Sequence, residues 1–237
     1  MALPIIATPE FKTEIPSTEQ EIFFRPFLVK EEKVLLVAVE SGEYSEVKNA
    51  MRKILNSCII TEGIDVYKLP SYDIEFIFLQ LRARSVSDII EFSLRHAGNN
   101  ECQHVTKYEL NLNDIKIEKK ENHEKRIMLT DSVGVIMKEP TIEISERINE
   151  LYDTNIDRIF GFVAESIEMI FDNEELYEDF TKEEVISWLE GLNKEQFEKI
   201  IRFFTTMPTL RHEIRYTCEK CGEEERIVLE GLQSFFM

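Results

Sequence analysis

Cys218 and Cys221 lie in a CEKCG segment near the end of the chain, and Cys102 and His104 lie in NNECQH more than a hundred positions earlier. A Cys-x-x-Cys followed by Gly lets two thiolates converge on one ion. Tetrahedral zinc then needs a second pair of ligands, which a distant segment folding alongside can supply. The spacing predicts a split metal site of Cys102, His104, Cys218 and Cys221, with His96 as the alternative to His104. The ion would be structural zinc, joining the middle of the chain to its end. Cys-x-x-Cys also occurs in redox dithiols, but no strand–helix unit with the motif opening the helix surrounds it here. The plain alternative is that His96 and His104 are ordinary turn histidines and Cys102 a small hydrophobe. Cys58 stands apart from this set, because it continues the helical stripe Val47, Met51, Ile54, Leu55 and reads as a buried structural cysteine.

The elements that must position these ligands are hairpins. RHEIRYTCEKCGEEERIVLEGL alternates through Ile214 and Tyr216 before the knuckle and Ile227 and Leu229 after it, the pattern of strand, tight turn and strand in a zinc ribbon. DIIEFSLRHAGNNECQHVTKYELNLNDI alternates through Ile90, Phe92 and Leu94, turns at Gly98-Asn99-Asn100, and alternates again through Tyr108, Leu110 and Leu112. The expected fold class is α+β and predominantly helical. It has a central β region and a C-terminal zinc-ribbon-like hairpin pairing with a hairpin from the middle of the chain.

Five segments are expected. Residues 1–20, with Pro4, Pro9 and Pro16, read as an extended arm, and 21–85 as a helical unit with helices from Lys30, from Glu46 and after Pro70. Residues 86–140 form the central β region with the first knuckle. Residues 141–208 form an acidic helical segment, and 209–237 the knuckle hairpin packing on the β region. Within the acidic segment one long helix is expected to carry Ile156, Ile159, Phe160, Val163, Ile167, Ile170 and Phe171. Two further helices start at capping signals, Thr181 with Glu184 and Asn193 with Gln196. Phe235 and Phe236 are expected to complete the β core.

Composition narrows the function. A formal charge of −18, from 46 acids against 28 bases, disfavours nucleic acid as a partner. Asp172 to Glu198 holds ten acids and two lysines, which reads as a solvated helical face. No apolar run approaches membrane-spanning length, and four cysteines in a chain of 237 residues do not form a secreted disulfide framework. A reducing cytoplasm and no membrane partner are expected. No GxGxxG, GxxxxGK[ST], HExxH or GxSxG occurs, so no catalytic residue and no organic cofactor is expected.

The order of segments resembles a known family. FRPFLVKEEKVLLVAVESG, KLPSYDIEFIFLQLRARSVSDIIEF, the first knuckle with YELNLNDI, IMLTDSVGVIMKEP, QFEKIIRFFTTMP, CEKCG and GLQSFF together resemble the baseplate hub or hub-assembly chaperone proteins of T-even-like contractile-tailed bacteriophages. The resemblance covers Phe24 to Phe236 and implies a non-enzymatic role, with other tail baseplate hub proteins as partners. It implies a location in the host cytoplasm during assembly or in the tail baseplate of the particle. The metal pattern carries over at Cys218 and Cys221 and departs at the first knuckle, where Asn99 occupies the place of a cysteine. Two rival readings are a zinc-ribbon adaptor of transcription, using Arg211, Arg215, Lys220 and Arg226 as its basic face, and a metal-dependent hydrolase.

Overall fold

The computed structural model describes residues 6–235 apart from 97–101, 103 and 174. The first five residues, the expected turn at 98–100, Asn99 and Phe236 therefore lie outside the described residues. The chain is a mixed α+β protein that divides into two compact units. One comprises Met1–Val66, Tyr72–Glu118 and Thr209–Met237, and the other Tyr67–Ser71 and Lys119–Pro208.

The first unit opens with a hairpin of β1 (Phe11–Ile15) and β2 (Gln20–Phe24), paired in register from Phe11↔Phe24 to Ile15↔Gln20. The segment expected to be an extended arm thus supplies a strand, because Ile15 and Ile22 alternate onto one face and are buried. The hairpin turn is tied down by a residue the sequence did not flag. Asp73, fully buried, accepts hydrogen bonds from the Ser17 backbone N–H at 3.0 Å and the Ser17 hydroxyl at 2.5 Å. Helix α1 (Val29–Ser41) follows, then α2 (Tyr44–Cys58) and α3 (Ser71–Ser85). Met51, Ile54, Leu55 and Cys58 on α2 and Ile74, Ile77, Phe78 and Leu81 on α3 are buried, as their helical spacing requires. Burial pushes the Cys58 thiol up to about 11, as befits an inert core cysteine.

Helix α1 departs from the usual amphipathic pattern. Glu31 and Ala38 are its buried residues, while Val29, Val34, Leu36, Val37 and Val39 are exposed. Glu31 is held by Arg25 at 3.0 Å and accepts from the Leu28 backbone N–H at 2.9 Å. The helix is therefore anchored by a polar contact at its start, and apolar side chains cover its outside.

Strands β3 (Ile89–Arg95) and β4 (Val105–Asn111) form a separate antiparallel sheet, in register from Ile89↔Asn111 to Arg95↔Val105. The short strand β5 (Lys116–Glu118) pairs instead with the C-terminal hairpin of β10 (Thr209–Thr217) and β11 (Glu224–Glu230). This modifies the expected pairing: β10 takes its hydrogen bonds from β5, and the β3–β4 hairpin meets the knuckle through side chains. Phe235 is buried.

The second unit contains β6 (Arg126–Met128), β7 (Val133–Met137), α4 (Ile142–Leu151), α5 (Asn155–Ser166), β8 (Ile167–Asp172), β9 (Glu175–Tyr177), α6 (Lys182–Glu190) and α7 (Lys194–Thr206). Its sheet runs β6-β7-β8-β9, all antiparallel. The long helix expected through Phe171 ends at Ser166. Ile167 to Asp172 then pairs with β7, where Ile167 and Phe171 point inward at the period of a strand. Gly134 on β7 is required by this packing, since a Cβ there would lie 2.3 Å from the Phe171 ring and 2.5 Å from the Ile127 carbonyl oxygen. Both capping boxes form as the sequence predicts. Thr181 Oγ1 accepts from Glu184 N, whose carboxylate returns to Thr181 N at 2.7 Å, and Asn193 and Gln196 exchange the equivalent pair.

Candidate metal centre

The knuckle is a turn that only one residue type closes comfortably. After β10, the Gly222 N–H donates to the Cys218 carbonyl at 2.9 Å, and the Cys218 N–H donates to the Glu223 carbonyl at 2.8 Å. Gly222 adopts φ +75°, a left-handed conformation that strains any L side chain, which explains the glycine after the second cysteine. The turn brings Cys218, buried, and Cys221, exposed, to one end of the hairpin.

The β3–β4 hairpin delivers the other pair. The ladder continues past Arg95↔Val105 with the His96 N–H donating to the His104 carbonyl at 3.0 Å, so the two histidines are direct cross-strand neighbours. Strand alternation puts both on the face of Leu94 and Thr106, and the sequence alone leaves them tied. The structure separates them. The His96 side chain is 1% exposed and its Nδ1 lies 3.5 Å from Cys221 Sγ. The His104 side chain is 34% exposed, with Nε2 3.8 Å from Glu219. Cys102 is buried, with its Sγ 3.8 Å from Cys218 Sγ across 116 positions of sequence.

His96, Cys102, Cys218 and Cys221 thus form one cluster, with ligand atoms all within 4.8 Å of one another. His104, the first choice for the fourth ligand on sequence, stands outside it, and the alternative His96 takes that position. A tetrahedral zinc with metal–ligand bonds near 2.0–2.3 Å sets its ligand atoms about 3.5–3.8 Å apart. The two spacings of 3.5 and 3.8 Å lie in that range. The donor set is three sulfurs and one imidazole nitrogen, a Cys₃His combination suited to zinc.

The local electrostatics differ between the two knuckle thiols. Backbone N–H groups of Cys221, and then of Lys220, directed at Cys218 hold its thiol below the ordinary value of 9.0. At Cys221 the Glu223 N–H acts in the same direction. Loss of hydration and the neighbouring Cys218 and Cys102 sulfurs outweigh it and push this thiol up to about 11. Three sulfurs packed this closely resist holding negative charge together, and a divalent cation is the species that removes that resistance.

The far side of His96 was not foreseen. Its Nε2 lies 2.7 Å from Glu225 Oε1 and 3.2 Å from Glu223 Oε2, although neither oxygen lies in line with the ring N–H. A signal for Glu225 was present: it shares the inward alternation of Ile227 and Leu229, and an acid on an inward face calls for a partner.

The arginines around the knuckle are ion-paired. Arg211 pairs with Glu118 at 2.5 Å, and Arg215 and Arg226 both pair with Glu213. Among the described residues no helix is long and apolar enough to cross a membrane.

Compared with known proteins, residues 8–237 match the family described as T4 bacteriophage base plate protein. No curated protein and no solved structure matched the chain.

Proposed function

The chain belongs to the T4 bacteriophage base plate protein family, and from that premise we propose that it is a non-enzymatic assembly protein that binds hub subunits while the baseplate is built. The observation that carries this reading is α1. A helix with exposed Val29, Val34, Leu36, Val37 and Val39 on its outer side is suited to being covered by another protein. The net charge of −18 suits a helper that keeps such a complex soluble. In the same reading, His96, Cys102, Cys218 and Cys221 hold a structural zinc that clips the two hairpins in the manner of a zinc ribbon. Four protein ligands leave the ion no open coordination position, which speaks against the hydrolase alternative. The ion-paired arginines at the knuckle and the net charge of −18 speak against a nucleic-acid adaptor.

Co-expression with T4-like baseplate hub subunits tests the reading. Soluble yield of those subunits should rise and a complex should co-purify, and Val37→Asp should abolish both. Unchanged yield together with no co-purification defeats it. Native mass spectrometry of the same preparation reads the metal mass and the stoichiometry together.

A further inference from the structure

His96 has two ring nitrogens, and the structure assigns each a different neighbour: Nδ1 faces the thiols and Nε2 faces acidic side chains. Resting on the metal reading above, we propose that Glu225 is the positioning residue of the centre. It takes the Nε2–H proton of His96 as a hydrogen bond and thereby presents the Nδ1 lone pair to the metal.

A neutral imidazole carries one N–H donor and one acceptor nitrogen, and a metal binds only the acceptor. A carboxylate 2.7 Å from Nε2 favours the tautomer with the proton on that nitrogen, which leaves Nδ1 as the ligand atom on the side of Cys221. On this proposal, closing the ligands around an ion turns the ring so that Nε2–H comes into line with Glu225 Oε1, which lies 2.7 Å from Nε2. Carboxylates behind metal-bound histidines fix both tautomer and orientation in this way.

Glu225 fits this role better than Glu223. Its side chain is 14% exposed against 54% for Glu223, so its contact with His96 is less diluted by water. It also sits within β11, held in register opposite Tyr216, whereas Glu223 precedes the strand. The carboxylate is thus fixed by the hairpin whose turn carries two of the thiols. The C-terminal segment supplies Cys218, Cys221 and the group that aims His96, and the central hairpin supplies His96 and Cys102.

The test uses the full chain, with zinc affinity read by competition against a chromophoric chelator and cobalt(II) absorption reporting the ligand set. Glu225→Ala is expected to weaken zinc binding about 10- to 100-fold. Glu225→Gln, whose amide oxygen accepts the same N–H, should recover most of the loss, and Glu223→Ala should change little. Long-range proton–nitrogen NMR of the zinc-loaded wild type should show His96 bound through Nδ1 with the proton on Nε2, a readout that does not depend on any variant folding. Wild-type protein that takes up neither zinc nor cobalt overturns the metal reading itself. Wild type that binds zinc, with Glu225→Ala binding equally well or His96 bound through Nε2, leaves that reading intact and overturns the role of Glu225.

Discussion

The knuckle end of the first unit and the core of the second solve the same problem with different materials. In the second unit, Leu129, Val135, Met137, Val163, Ile167, Val185, Leu189, Ile200 and Phe203 form one apolar cluster joining the sheet to α5, α6 and α7. At the knuckle, two hairpins from separate sheets meet over three sulfurs, an imidazole and two carboxylates. Apolar packing is strong in sum but spread over many contacts, so losing one side chain weakens it by a fraction. If the knuckle cluster holds the proposed zinc, its contacts depend on one shared ion, and losing it releases them together.

The sharpest way to break this comparison is to test the proposed zinc directly. Chelation, or Cys218→Ser, should strip hydrogen-exchange protection from residues 89–111 and 209–230 while residues 126–206 keep theirs. Structural zinc contributes about 10 kcal/mol in small metal-folded peptides, comparable to the whole stability of a typical domain. Equal protection before and after chelation would erase the contrast. Next in size, Phe203→Ala should cost about 3–5 kcal/mol in chemical denaturation of the second unit and leave metal content unchanged. A smaller loss, about 1–3 kcal/mol, is expected for Asp73→Ala, which leaves the Ser17 donors unpaired, and it should appear in the first unit alone. The smallest is Thr181→Ala at about 1 kcal/mol, seen as fraying of α6 and no change elsewhere.

Where a local signal decides the outcome, the sequence was informative. Thr181, Asn193 and the CEKCG turn each carry their own geometry within a few residues, and each appears as the sequence predicts. Ile167 to Phe171 shows the opposite case. Its apolar spacing fits a helical stripe and a strand face alike, and pairing with β7 decides between them. The histidine choice was undecidable for a related reason. His96 and His104 are cross-strand partners on one face, and the approach of the knuckle, with Cys221 125 positions away, buries one and leaves the other part-exposed. Asp73 was invisible because its partner Ser17 is 56 positions off and neither residue belongs to a motif.

The pairing of β5 with β10 sets an order of events during synthesis. Glu118 cannot meet Thr209 until residues 119–208 have left the ribosome, a wait on the order of ten seconds at ordinary elongation rates. Folding of the intervening segment in that interval would draw the two strands' ends together and lower the entropic cost of closing the loop. His96 and Cys102 wait longer still for Cys218 and Cys221. On the zinc proposal, a nascent chain would carry His96 and Cys102 without their companion thiols until the knuckle has emerged.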